Sequence, residues 1–334
     1  MKLSDFDYVL PDNLIAQYPS PKRDEARLLV VDRARGAISH DVFKNIGKYV
    51  PQKSLLVVNN SKVIPARLLG TKSRTGGEVE VFLLKQIDHH HFEAMLRPLK
   101  KIQEGELLVF SHGVQCRLVD REKKIVRFED ADVLKKLEKV GHIPLPPYIK
   151  RPDEKLDHEF YQTVYAKRMG SVAAPTAGLH FSKTLISSLK RQGHSFAEVT
   201  LHVNYGTFKP VETENILDHP MHCEEYMIPE GVEKRIAAVK KSGQKIVAVG
   251  TTSCRTLESF ARSGNSQGAT DLFLYPGSDF KLTDILITNF HLPRSTLLML
   301  VSAFAGLDLV RSAYQQAVRE KYRFYSYGDA MIIV

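Results

Sequence analysis

The 334-residue chain has no tryptophan and only three cysteines. Cys116, Cys223 and Cys254 are far apart and odd in number. That argues against a disulfide framework and fits a reducing compartment. Neither Cys-x-x-Cys nor His-Glu-x-x-His occurs, so the usual zinc signatures are missing. There is no Gly-x-Gly-x-x-Gly, which removes support for dinucleotide binding and for the common methyltransferase fold. The N-terminal stretch MKLSDFDYVLPDN lacks the apolar run of a signal peptide. The most apolar segment, LLMLVSAFAGL at 297–307, is too short to span a bilayer. A soluble, cytoplasmic protein is the expectation.

What the chain does have is positive charge and enough apolar residues for a core. Lys and Arg number 47 against 38 Asp and Glu, a formal charge of +9. That balance favours a polyanionic partner, nucleic acid first, although many cytosolic proteins are mildly basic. One segment breaks the charged texture. SVAAPTAGLHFS at 171–182 has no titratable side chain except His180.

Short apolar, β-branched runs at 28–33 and 54–59 read as strands, with a short helix between them at 40–50. From residue 65 the texture changes to six short strands with tight turns, which predicts a small antiparallel barrel. A helix at 133–141 follows, and the proline-rich PLPPYIKRP at 144–152 reads as the exit linker. Helices and strands then alternate. Helices are predicted at 182–193, 231–243 and 251–264, with strands at FAEVTLHV, KIVAVG and DLFLYPG. Two further helices and the closing strand MIIV complete the chain. The predicted fold is an α/β sheet domain formed by both chain ends, 1–64 and 151–334, with a β-barrel inserted at 65–150.

Several constellations can carry chemistry. In KIVAVGTTSCRTLES the turn from strand to helix offers free backbone N–H groups to an anion. Gly250 permits close approach, Thr251 or Thr252 caps, and Arg255 follows; an ordinary capped turn has the same pattern. His180, His202 and His291 each stand beside a turn or strand end, where an imidazole can act as acid or base. His219 and His222 in DHPMHCEE have a spacing that also suits a metal. In ITNFHLPRSTLLMLVSAFAG, Asn289, His291, Pro293, Arg294 and Ser295 precede a wholly apolar helix, as at the floor of a pocket or in a helix capped by Ser295. The aromatic-rich YRFYSYGDAM can stack on bases or fill a core. In the barrel, Arg67, Lys72, Arg97, Lys100 and Lys101 are either phosphate contacts or a solubilising face.

Together, PDNLIAQYP with RDEARLLV, NNSKVIPARLLG, GHIPLPPYIKRPDE, GSVAAPTAGLHF, HPMHCEEY, VAVGTTSCRTLES, TNFHLPRSTLLMLVSAFAG and YRFYSYGDAM are similar to the S-adenosylmethionine:tRNA ribosyltransferase-isomerase family of queuosine biosynthesis. The resemblance runs from about residue 3 to the C-terminus. Two positions depart from the family's pattern. Asn204 stands where it has glycine; asparagine tolerates positive φ better than most residues, so that turn is expected to survive. Phe92 replaces a tryptophan in the barrel.

The resemblance implies an α/β domain with an inserted barrel. It implies a tRNA with 7-aminomethyl-7-deazaguanine at the wobble position as substrate. S-adenosylmethionine donates its ribosyl part and is consumed, adenine and methionine leave, and epoxyqueuosine-tRNA results. No cofactor and no metal are implied. On this reading His180, His202 and His291 compete for the role of general base, His180 first. Gly250, Thr251, Thr252, Arg255 and Asn289 hold S-adenosylmethionine, and the barrel cations hold tRNA. A monomer with no DNA or membrane partner is expected. A tRNA-binding protein without chemistry and a metal-dependent hydrolase built on DHPMH are the rival readings.

Overall fold

The computed structural model describes residues 1–130, 132–204, 206 and 210–334. Strands β1 (Arg27–Asp32) and β2 (Ala37–Val42) form an antiparallel hairpin, and β3 (Leu55–Asn59) and the short β4 (Ser61–Val63) follow. The helix expected at 40–50 is not formed as one. Its first residues extend β2, and Phe43–Lys48 wind as a 3₁₀ helix. Asp41 sets this break: its carboxylate accepts hydrogen bonds from the Val42 N–H, Asn45 and Tyr49. A side chain that satisfies the local backbone in this way competes with a regular helix.

Strands β5 (Arg67–Lys72), β6 (Glu78–Gln86), β7 (His91–Arg97), β8 (Leu107–Phe110), β9 (Gln115–Asp120) and β10 (Ile125–Phe128) close into a barrel in the order β10-β7-β6-β5-β8-β9. The period of two decides the inside. Val79, Val81 and Leu83 of β6 and Phe92, Ala94 and Leu96 of β7 are buried, and their neighbours mostly face out. Phe92 meets Phe128 edge-on, ring centres 5.5 Å apart, inside this core. Helix α1 (Val133–Val140) adds Val133, Leu137 and Val140 to it.

The chain returns through residues 144–152, the segment read as a stiff exit linker, and it is anchored along its length. Ile149 is buried and packs with Ala16, Tyr161, Leu179 and Tyr327. Arg151 then forms a two-pronged ion pair with Asp157 in α2 (Lys155–Phe160), at 2.7 and 2.8 Å, and the Tyr327 hydroxyl donates to the same carboxylate at 2.6 Å. Prolines stiffen this segment, and buried polar bonds fix where it goes.

Beyond it come β11 (Arg168–Ser171), α3 (Lys183–Arg191), β12 (Ser195–Leu201), β13 (Glu224–Met227), α4 (Glu230–Lys241), β14 (Ile246–Val249), α5 (Thr251–Ser263), β15 (Gln267–Thr270), β16 (Ile285–Asn289), α6 (Thr296–Ala305), α7 (Leu307–Arg319) and β17 (Ala330–Ile333). DLFLYPG, expected as a strand, is not one; the strand lies just before it. The Thr270 hydroxyl accepts from the Leu272 N–H, and Arg255 takes the Leu272 carbonyl, so the chain leaves the sheet there. Nine strands form one sheet in the order β15-β13-β12-β3-β14-β16-β17-β1-β2. The α/β sheet with an inserted barrel is the predicted fold class. No single helix among the described residues is long and apolar enough to cross a membrane.

Strands β12, β3, β14 and β16 run parallel, and β17 lies antiparallel to β16. Every residue of β3, β14 and β16 is buried. The carboxyl ends of the four parallel strands therefore share one edge with the start of β17. In open α/β sheets, ligands bind at that edge.

Candidate active site at the carboxyl edge of the sheet

A cavity of about 670 Å³, its open mouth included, lies at this edge. Its floor comes from the turns after β14 and β16. One wall is Ala173, Ala174, Pro175, Thr176 and Ala177, and the other is Leu292, Ser295 and Leu297. Tyr148 and Tyr325 line it as well, ring centres 4.6 Å apart. The uncharged segment 171–182 is thus a close-fitting wall of small side chains. Gly178 lets that wall turn: a Cβ there would stand 2.1 Å from the Tyr165 hydroxyl.

Gly250 ends β14 with φ 90°, a conformation that glycine alone adopts readily, and its N–H donates to the Ile287 carbonyl at 2.7 Å. Helix α5 begins immediately after it. Neither Thr251 nor Thr252 caps α5; no side chain does, and the Thr252 hydroxyl has no partner among the described residues. Free N–H groups at the start of a thirteen-residue helix therefore face a cavity lined by Gly250, Thr251 and Thr252.

Asn289, at the end of β16, is 1% exposed. Its Nδ2 donates to His180 Nε2 and to the Tyr325 carbonyl, both at 3.1 Å. Tyr325 holds that carbonyl in place with φ 71°, a strained backbone for an aromatic residue. Two residues on, His291 Nε2 lies 2.7 Å from the Thr288 hydroxyl. The backbone N–H of His291 donates to the Tyr314 hydroxyl, and the Tyr8 hydroxyl donates to its carbonyl. Burial pulls the His291 pKa down from 6.5 to about 3. Among the described residues, none that lines the cavity is Asp, Glu, Lys or Arg. Its chemistry, among these residues, is that of a largely apolar pocket with one neutral imidazole.

The sequence-derived candidates separate here. Gly250, Thr251, Thr252, Asn289 and His291 line the cavity together. His180 stands behind Asn289, in a cleft with Arg23, Phe160 and Tyr327. Burial, then the charges of Arg323 and Arg23, pull its pKa down to about 3. His202 lies outside: it lines a different cleft, with Lys85 and Glu225, while Val203 lines the cavity. Successive residues in extended chain point to opposite faces, so the two cannot share one. Asn204 beside it is not among the positive-φ residues, so glycine's freedom is not used at that position.

Arg255 also stands apart. It lies one turn into α5, its guanidinium pairs with buried Glu224, and its Nε donates to the Leu272 carbonyl at 3.1 Å. Its charge is already neutralised, and it lines the neighbouring pocket with His219 and His222. Among the described residues no group of three His, Cys, Asp or Glu is placed to hold a metal ion.

In the barrel, Arg67 makes a two-pronged pair with Glu80 at 3.0 and 3.2 Å. Lys72 donates to the Lys101 carbonyl at 3.0 Å and lies 3.9 Å from Glu106. These two are committed to the barrel itself, because cross-strand carboxylates lie within reach. Arg97, Lys100 and Lys101 are exposed, and their side chains have no partner among the described residues. In YRFYSYGDAM, Tyr322, Phe324 and Tyr327 are buried, and Tyr325 lines the cavity.

Sequence reasoning missed Tyr148 and Thr288, while Tyr325 belongs to the aromatic-rich segment it singled out. Tyr148 was hidden in a proline-rich stretch. Its hydroxyl lies 2.7 Å from that of Ser326, a bond between residues 178 positions apart.

The chain matches the family described as "Queuosine biosynthesis protein" over residues 3–333. It is 53% identical to the S-adenosylmethionine:tRNA ribosyltransferase-isomerase of Carboxydothermus hydrogenoformans, with all of both chains covered. It is 49% identical to the protein of that name from Sulfurihydrogenibium sp., again over the whole of both. A solved structure, the S-adenosylmethionine tRNA ribosyltransferase of Thermotoga maritima, is 38% identical with a TM-score of 0.57 and covers 99% of this chain and 100% of its own.

Proposed function

This chain belongs to the S-adenosylmethionine:tRNA ribosyltransferase-isomerase family of queuosine biosynthesis, and we propose that it carries out that family's reaction in the cavity between Tyr148 and the start of α5. The ribosyl part of S-adenosylmethionine moves onto 7-aminomethyl-7-deazaguanine at the tRNA wobble position and is isomerised. Adenine and methionine leave, and epoxyqueuosine-tRNA is formed. S-adenosylmethionine is consumed, and the reaction uses no further cofactor and no metal. On this proposal the enzyme works as a monomer in the cytoplasm, with no DNA or membrane partner.

The sulfonium charge acidifies the ribose carbon beside it, so a modest base suffices to form an ylide. The aminomethyl nitrogen of the base supplies the new bond to the ribosyl carbons, adenine leaves with the electrons of its ribose bond and methionine with those of the sulfonium C–S bond, and the sequence starts from the carbanion. Water would quench it, which favours a closed, apolar wall such as Ala173–Ala177. The tyrosine faces suit a sulfonium cation. The free N–H groups of Thr251 and Thr252 suit the methionine carboxylate, and Arg255 ties α5 to β13 through Glu224. Arg97, Lys100 and Lys101 are the barrel cations left free for tRNA phosphates.

One observation carries the assignment of the base. His291 lines the cavity, and its burial keeps the imidazole neutral. A neutral imidazole can accept a proton, and we assign it the one on the ribose carbon; His180 then acts through Asn289 instead of on substrate. The test is adenine release from S-adenosylmethionine and tRNA carrying the modified base. His291→Gln should lower kcat about 10²–10⁴-fold while S-adenosylmethionine still binds. Deuterium at the ribose carbon should give a primary isotope effect in the wild type. Wild-type turnover by His291→Gln would move the base elsewhere.

A further inference from the structure

The Asn289 side chain has one polar atom that the protein leaves unused. Both hydrogens of Nδ2 are spent, one on His180 Nε2 and one on the Tyr325 carbonyl, each at 3.1 Å. The opposite orientation would set Oδ1 against the Tyr325 carbonyl, two acceptors face to face, so the amide is fixed as found. Oδ1 is then buried without a partner among the described residues. A buried acceptor in that state costs about as much as a lost hydrogen bond, and native proteins rarely keep one without a use. Asn289 lines the cavity.

We propose that Asn289 Oδ1 accepts a hydrogen bond from an amino group of S-adenosylmethionine, and that His180 is the positioning residue that sets the amide for it. This rests on the reading that S-adenosylmethionine occupies the cavity. The α-ammonium of the methionine end fits best. Strands β14 and β16 are parallel neighbours with Val249 opposite Ile287, and the Gly250 N–H donates to the Ile287 carbonyl, so the start of α5 and the end of β16, where Asn289 stands, lie beside each other at one edge of the cavity. A carboxylate at the start of α5 and an ammonium at Asn289 would come from one carbon of one amino acid. The adenine amino group offers the same chemistry from the other end of the molecule. Among the described residues no carboxylate lines the cavity to compete for either. His180 fits its role because burial keeps its ring neutral and Nε2 able to accept.

The experiment is equilibrium binding of three ligands to the full chain: S-adenosylmethionine, its analogue without the α-amino group, and its analogue with a 6-oxo purine. Asn289→Ala should weaken S-adenosylmethionine about 10- to 100-fold and leave the desamino analogue unchanged. If the 6-oxo analogue is the insensitive one, the acceptor reads the adenine amino group, and the proposal stands with that donor. An equal penalty on all three ligands, or none, overturns it. If Asn289→Ala does not fold, the wild type decides alone, because equal affinity for the three ligands overturns the proposal. His180→Ala should raise KM for S-adenosylmethionine, leave KM for tRNA unchanged, and add nothing in the Asn289→Ala background; His180→Gln, which restores an acceptor, should recover part of the loss. Additive losses in the double variant would make His180 merely structural. Failure of the function reading looks different: the wild type would then release no adenine.

Discussion

On the barrel, Arg67 meets Glu80, and Arg117 and Arg127 share Glu129, all where water reaches them. Around the cavity, Asn289, His291 and Ser295 are buried and no lining residue among those described is Asp, Glu, Lys or Arg. Exposed pairs contribute about 0–1 kcal/mol each, and salt screens them. Polar atoms in a dry site interact strongly and are costly to leave unmatched. The same chain therefore offers a surface whose charges can be traded for phosphates one at a time and a pocket in which single atoms decide the outcome.

The largest expected effect lies where the two regions are joined. Arg151 closes the return from the barrel, and Asp157, its partner, is fully buried. Arg151→Ala strands that carboxylate and should cost about 3–5 kcal/mol in chemical denaturation. Lysine cannot reproduce the two-pronged bond, so Arg151→Lys should recover only part. Because Tyr148 sits on the same segment, KM for S-adenosylmethionine should rise as well. A loss below about 1 kcal/mol would put this pair in the barrel's class.

Acid sharpens the contrast further. Folded His180 and His291 take up protons only near pH 3, and the ordinary value is 6.5. The unfolded chain therefore binds protons first. Both contributions are fully present above about pH 6.5 and are lost as the pH falls toward 3, at about 1.36 kcal/mol per unit for each histidine. Between pH 7 and 5 the pair should cost about 4 kcal/mol, and His291→Gln should show about 2 kcal/mol less of that loss. Urea midpoints at the two values measure it. An unaltered pH dependence in the variant would mean that His291 is not held neutral by the fold.

The barrel and most of the α/β order were legible because they rest on local periodicity. Most of the barrel strands alternate, and Ser182, read as a cap, accepts from the Leu185 N–H as a cap does. The site was legible in part. Gly250, Thr251, Asn289 and His291 announced themselves as polar residues at strand ends. What was not legible is what depends on distant contacts. Nothing local says that Arg255 meets Glu224, 31 residues away, or that His180 reaches Asn289 across 109 residues. The side of the chain that His202 faces depended on where β12 ended, and element ends are the weakest part of any pattern reading.

Lys100 and Lys101 probe the tradeable charges. The double change to alanine should lower the salt slope of tRNA binding by about one unit per lost phosphate contact. An unchanged slope would make them a solvated face. Neither change should alter turnover at saturating tRNA, because the barrel cations are absent from the cavity lining.

The smallest expected effect belongs to Arg67. Its side chain is 40% exposed and its partner Glu80 is 21% exposed. An exposed pair of this kind contributes about 0–1 kcal/mol, so Arg67→Ala should barely move the urea midpoint. Since Glu80 already neutralises it, Arg67 has no net charge to offer a phosphate unless that bond opens. The salt slope of Arg67→Ala should therefore equal that of the wild type, while Glu80→Gln, which frees the guanidinium, should steepen it by up to about one unit. If Arg67→Ala instead lowers the slope as much as Lys100→Ala does, the pair opens when tRNA arrives. The barrel's charges would then be held in reserve, and the contrast with the fixed atoms of the cavity would be wider still.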